Sequence, residues 1–345
     1  MISERLLSIV RCPNCLGALE PGPALVCPAC NRRYPSAGDH LDLRPSDEFV
    51  EQTKYLDEAL HADARHETVS PPLLSAAVRN DMLRSFLAPA PGDRLVDLGC
   101  GSGRVLVWNR RLGAYQVGID VSPFFALEAR AGIDLALGDL RRLPFADGAF
   151  NKACALDVFE HLSREGLREV LREAARVLGP GGALFVYSHV RKNSWLAGGL
   201  RLINRVARRL ERAGAIDLSQ ERLRKSDHLN PLADVPDLVA EVGAAGFRVA
   251  RIRYYTPLVG GIIENILLKV AERWLARRES GAGTSAGVRA ARTVAKERIA
   301  KRGPVYLGLR LLTAAMKLDV LLFGRITSGP FFALLLKDAP GGRRG

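Results

Sequence analysis

Residues 94–104, Arg94-Leu95-Val96-Asp97-Leu98-Gly99-Cys100-Gly101-Ser102-Gly103-Arg104, decide the fold. The first half is a short apolar run and reads as a buried strand. The second half sets glycines at positions 99, 101 and 103, where backbone freedom lets a ligand press against the chain. A helical pattern follows. Strand, glycine turn and helix open a parallel α/β unit.

The same alternation continues outward from this stretch. Tyr115 to Asp120 reads as a second strand, and a third ends at Leu137-Gly138-Asp139-Leu140. A fourth, Phe150 to Leu156, runs into Asp157-Val158-Phe159-Glu160-His161-Leu162. After a helix, Arg176 to Gly182 turns into a fifth strand, Ala183 to Ser188. A dinucleotide site asks for G-x-G-x-x-G, and its last glycine would fall where Arg104 stands. Asp97 at the strand end is also badly placed beside phosphates. It suits a cation, and S-adenosylmethionine carries an ammonium and a sulfonium and no phosphate. Asp120 lies where a carboxylate can accept both ribose hydroxyls. Asp139 could accept from the adenine amino group, with Leu140 against the ring.

The runs VDLGCGSG, GID, GDLRRLPF, DVFEHL and ARVLGPGGALFVYS resemble, in order and spacing, the class I methyltransferases that act on quinones, lipids and small metabolites. The resemblance covers about residues 90–190. It resumes at His228-Leu229-Asn230-Pro231, at a helix over Asp234–Gly246, at Phe247-Arg248-Val249 as a sixth strand, and at Gly329 to Lys337, which looks like a last, antiparallel strand. It implies a Rossmann-like, seven-stranded, mostly parallel sheet with helical insertions. It also implies cofactor roles for Asp97, Gly99, Gly101, Gly103, Asp120, Asp139 and Leu140, with Asp157 by the methionine part or the acceptor.

Cys12-Pro13-Asn14-Cys15 and Cys27-Pro28-Ala29-Cys30 are two C-x-x-C knuckles. Together they can present four thiolates to one tetrahedral, structural zinc. So small a unit needs the metal to fold. Two chance pairs or a redox dithiol are the competing readings. The stretch at about 8–45 resembles the zinc-ribbon family that includes the activator subunit of tRNA and protein methyltransferases. The domain reading is a ribbon at 1–45, a helical linker at 46–90, a catalytic domain at 91–338 and a tail at 339–345. Insertions fall at about 190–228 and 257–328.

The formal charge of +13 is concentrated. Residues 191–213 hold seven basic residues against one acidic, and 269–302 hold ten against three. Met1 to Val10 carries Glu4 and Arg5 and reads as no secretory leader, so a reducing, cytoplasmic setting is expected. Trp195 to Leu210 places Leu196, Leu200, Ile203, Val206, Ala207 and Leu210 on one helical face, with arginines mostly elsewhere. The second insertion repeats apolar residues from Ile262 to Leu275 and again from Tyr306 to Phe323. Such helices either pack over their own domain or lie in an anionic membrane surface. Localisation at an inner membrane surface is the corresponding expectation.

Three histidines fall after strands or loops on the expected ligand edge: His161, His189 and His228. Each is a candidate general base, needed where the acceptor is protonated. The blander reading of each, as a capping or packing histidine, is the favoured one at this level. The segment Asp157-Val158-Phe159-Glu160 lacks the Pro-Pro turn usual where a base's exocyclic amine is methylated. The favoured function is O- or C-methylation of a small, lipid-like or lipid-linked acceptor. An RNA methyltransferase and a non-catalytic scaffold are the alternatives. Few aromatics interleave the basic runs, which disfavours nucleic acid.

Overall fold

The computed structural model describes residues 2–35, 38–44, 69–191, 197–218, 222, 226–255, 257–271, 273 and 303–338. Residues 46–68 of the expected linker, Trp195, Leu196, Trp274, Leu275, most of the basic run 269–302 and the tail lie outside them.

One eight-stranded sheet organises the chain. It comprises β3 (Leu41–Asp42), β4 (Arg94–Leu98), β5 (Tyr115–Asp120), β6 (Asp134–Leu137), β7 (Phe150–Leu156), β8 (Leu178–His189), β9 (Phe247–Tyr254) and β10 (Pro330–Lys337). Their spatial order is β3-β6-β5-β4-β7-β8-β10-β9. β3 to β8 pair in parallel, and β10 runs antiparallel between β8 and β9. The seven expected strands are all present. The eighth, β3, comes from the cysteine-rich segment, whose Leu41 and Asp42 pair with Ala136 and Leu137. The fifth strand is longer than expected, because Leu178 to Gly182 continues the ladder into Ala183.

Side chains of the central strands are buried on both faces, as in a covered parallel sheet. Val96, Ala153, Ala155, Leu184 and Val186 point to one core, with α5 (Arg164–Val177) and α7 (Val235–Ala244). Leu95, Cys154, Phe185 and Tyr187 point to the other, with α2 (Ser75–Leu87), α3 (Arg104–Asn109) and α9 (Pro304–Phe323). The caps are local. Ser163 accepts from Gly166 N–H at the start of α5, and Asp234 from Asp237 N–H at the start of α7. The remaining short elements are α1 (Glu4–Ile9), a hairpin of β1 (Ala24–Val26) and β2 (Arg33–Pro35), α4 (Leu127–Arg130), α6 (Ala197–Arg212) and α8 (Pro257–Ile262).

The cysteine-rich module is fused to the sheet, not tethered to it. Leu6, Val10, Leu25, Tyr34 and Leu41 belong to the same core as Phe145 and Phe150. Arg11 N–H donates to Pro144 O, Ala146 N–H to Ile9 O and Leu43 N–H to Leu137 O. Ser3 hydroxyl and Tyr115 hydroxyl both donate to Asp134. Among the described residues, no helix is long and apolar enough to cross a membrane.

Candidate functional site

The carboxyl ends of β4 to β8 lie along one sheet edge, where open α/β folds bind ligands. Gly99, Gly101 and Gly103 all adopt positive φ there. At Gly99 a side chain would also strike Val158 Cγ2 at 2.6 Å. At Gly101 the space where a side chain would stand is open, so the loop presents bare backbone. Asp120 grips that loop, accepting from Gly101 N–H at 2.7 Å and from Ser122 N–H at 2.9 Å.

Asp97 is only 2 % exposed, and Cys154 Sγ donates to it at 3.3 Å. Burial pushes its carboxyl up to about 7, with Asp120 adding to the rise and Cys154 and Arg104 opposing it. A buried carboxylate is costly without a cation nearby, and burial here favours the protonated acid. Asp139 accepts from Arg141 at 2.8 Å in a two-pronged pair and from Arg141 N–H at 2.9 Å. Leu140 lies beside it, near Gly99. Three acids and a bare glycine turn thus lie together at this edge.

Asp157 sits in the left-handed region, with φ +57°, and pairs with Arg79 of α2. The Arg79 guanidinium lies 4.3 Å over the Tyr187 ring. Tyr187 in turn packs on Phe332 at 5.0 Å and on His189 at 5.5 Å. Tyr255 joins this aromatic wall, its hydroxyl buried and without a hydrogen-bond partner among the described residues.

The three candidate histidines meet. The ring centroids of His161 and His228 are 4.7 Å apart, and those of His228 and His189 are 6.4 Å apart. Glu160, 1 % exposed, stands behind them. Its carboxylate accepts from Ser188 hydroxyl at 2.8 Å and lies 3.4 Å from His189 Nδ1. Its backbone carbonyl accepts from Leu229 and Asn230 N–H, which pins the loop bearing His228. Burial tends to raise the Glu160 carboxyl, but His189 and Ser188 outweigh it and hold it down at about 2. Burial, reinforced by His161, holds His228 below the usual imidazole range. His161 Nδ1 lies 3.2 Å from Asp227. One ligating atom each from Glu160, His161 and His228 falls within a 4.8 Å cluster.

Residues 96–186 match the family model described as a methyltransferase domain. The chain carries an S-adenosylmethionine-dependent methyltransferase domain. Over 206 residues the methyltransferase is 29 % identical to a ubiquinone biosynthesis O-methyltransferase of Azorhizobium caulinodans, covering 55 % of this chain and 75 % of that one. It is 34 % identical over 108 residues to a probable tRNA methyltransferase 9B of Homo sapiens, covering 30 % of this chain and 23 % of the relative. It is 31 % identical over 130 residues to a 24-methylenesterol C-methyltransferase 2 of Oryza sativa, covering 35 % of each. The chain thus spans three quarters of the first relative's length and about a third or less of the other two.

The four cysteines of the methyltransferase's N-terminal module form one cluster. Cys12 and Cys30 Sγ are 3.6 Å apart and Cys15 and Cys27 Sγ 3.5 Å, with all four within 4.8 Å. A tetrahedral zinc with four thiolates needs sulfurs about 3.8 Å apart, so the set fits. Leu16 and Asn31, each one residue past a C-x-x-C, share positive φ, which turns both knuckles alike. Tyr34 hydroxyl lies 3.1 Å from Cys12 Sγ.

Four residues of this end of the sheet escaped the sequence reading: Arg79, Glu160 as a buried carboxylate, Ser188 and Asp227. Glu160 had a signal. It is a lone acid between Phe159 and His161 in a run that leads away from a buried strand.

Proposed function

We propose that this methyltransferase alkylates an oxygen or carbon of a small, lipid-like or lipid-linked acceptor, with His189 as its general base. Asp97 and Asp120 would hold the cofactor's cationic and ribose parts, with Gly99, Gly101 and Gly103 against it and Asp139 and Leu140 at the adenine. The cofactor supplies a methyl group already activated on sulfur. The protein's work is therefore to orient the acceptor, exclude water and take one proton. His189 would take the proton that the acceptor gives up on methylation. Glu160 remains ionised and stabilises the imidazolium electrostatically. His228, held neutral, and His161 complete a proton-accepting cluster. Asp157, locked by Arg79, shapes the space between the two halves. Cys12, Cys15, Cys27 and Cys30 would bind a structural zinc.

The observation that carries this reading is the convergence of three histidines on buried Glu160, beside an aromatic wall of Tyr187, Tyr255 and Phe332. An apolar or planar acceptor suits such a wall. The similarity to a ubiquinone biosynthesis O-methyltransferase and a 24-methylenesterol C-methyltransferase supports the same class. The test is incubation of extracts with the protein and isotope-labelled cofactor. Label is expected in the lipid or small-metabolite fraction. Label in RNA would instead favour the second reading, which the tRNA methyltransferase relative and the basic runs support. A protein that binds no cofactor in calorimetry would leave only a scaffold.

The same reading places the protein in the cytoplasm, peripherally at an inner membrane surface.

A further inference from the structure

We infer that the outward faces of α6, α8 and α9 form one docking surface for an anionic lipid bilayer. The inference rests on the lipid-like acceptor proposed above and names the surface from which it would be drawn.

The three helices leave the sheet at one place. α6 follows β8, α8 follows β9 and α9 precedes β10. His189 pairs with Pro330 and Tyr254 with Phe331, so these chain ends lie side by side. Tyr254 N–H donates to Gly324 O, just past α9, and Tyr255 N–H to Pro330 O. α8 packs against both α6 and α9. The whole group therefore flanks the histidine end of the site.

Their inner sides are ordinary core, with Ile203 and Ala207 of α6 and Met316 and Val320 of α9 buried. Their outer sides are not ordinary surface. On α9, Leu311, Leu318 and Leu322 recur at intervals of seven and four, so they share one side, with Leu321 next to them. Leu311 is 65 % exposed and Leu321 79 %. Leu202 of α6 and Leu267, just beyond α8, are exposed as well. A single exposed leucine is normal, but a stripe of them marks an apolar partner.

Charge selects the partner. Arg201, Arg205, Arg208 and Arg209 are exposed on α6. On α6 itself, exposed Leu202 and Val206 lie between Arg201, Arg205 and Arg209, the pattern of a helix lying in the headgroup layer of an anionic membrane. RNA would use the arginines and leave the leucines in water. Docked in this way, the protein would turn its histidine end toward the bilayer.

The test is co-sedimentation of the full-length protein with vesicles of phosphatidylcholine, alone or mixed with phosphatidylglycerol. No acceptor or cofactor is added. The wild type should bind the mixed vesicles and release them partly as salt rises. The double variant Leu311→Asp/Leu321→Asp should bind at least tenfold more weakly and keep its cofactor affinity in calorimetry, which shows that it is folded. The triple variant Arg205→Ala/Arg208→Ala/Arg209→Ala should lose the preference for phosphatidylglycerol. A wild type that ignores both vesicles overturns the inference. So does equal binding by the leucine variant, or a wild-type dimer that Leu321→Asp dissociates in place of vesicle binding. Vesicle binding together with label in RNA would sink the acceptor reading and leave the surface standing.

Discussion

The two halves of the sheet are assembled differently. On the side proposed for the cofactor, Asp97, Asp120 and Asp139 stand at or near the ends of β4, β5 and β6, and each acid is held by groups nearby in the sequence or on a neighbouring strand. Asp120 takes Ser122 N–H two residues on and Gly101 N–H from the turn after β4, the strand beside its own. Asp139 takes Arg141 two residues on. On the acceptor side, contacts span the chain. Arg79 meets Asp157, Glu160 meets Ser188 and the loop at 229–230, and Tyr187 meets Tyr255 and Phe332. A pocket for one common cofactor can be built from short, repeatable turns. A pocket for a particular acceptor is built from whatever the insertions bring to the edge.

The largest expected effect bears on the module beyond the cofactor half. Cys12→Ser should abolish bound zinc and disorder the ribbon, since metal binding is folding free energy for so small a unit. Metal analysis that still returned one zinc per chain would remove the assignment. Next comes the acceptor half. His189→Ala should lower kcat by about 10²–10⁴-fold, the usual range for a lost general base, and leave the cofactor dissociation constant alone. An unchanged kcat would show that the histidines only pack. Smaller is Asp120→Ala, which should weaken cofactor binding by about 1–3 kcal/mol through loss of charged hydrogen bonds. Unaltered affinity in calorimetry would take Asp120 out of the site.

The smallest effect is a pH dependence. Burial raises Asp97 from 3.8 to about 7, so the ligand-free fold holds a proton there that the unfolded chain has released. Stability of the free protein should fall as pH rises across that window. A cationic ligand needs the ionised form, so its affinity should rise with pH, by up to about tenfold per unit below pH 7. Asp97→Asn should flatten the affinity profile; a slope that survives the substitution would assign the titration elsewhere.

This division also explains what could be read from the sequence. β5 and β7 occupy the residues expected of them, because an apolar-rich run of strand length is a local signal. The cysteine knuckles and the three acids of the cofactor side are local too. β3 is only two residues long, so no periodicity announces it; it exists because β6 offers an unpaired edge. Arg79 lies 78 residues before Asp157, on a helix whose polar face looks like any other. The histidines could be named as candidates, but their meeting depends on Glu160's backbone carbonyl capturing residues 229 and 230. Nothing in either segment encodes that capture alone.

The backbone pairing of Leu41 and Asp42 with β6 has one more outcome. A bare outer strand is a template for joining other molecules edge to edge, and here the cysteine module caps it. Chelation should therefore do more than loosen a small lobe. It would strip the cap, and the stripped protein should clump into β-rich aggregates while the glycine turn after β4 is still formed.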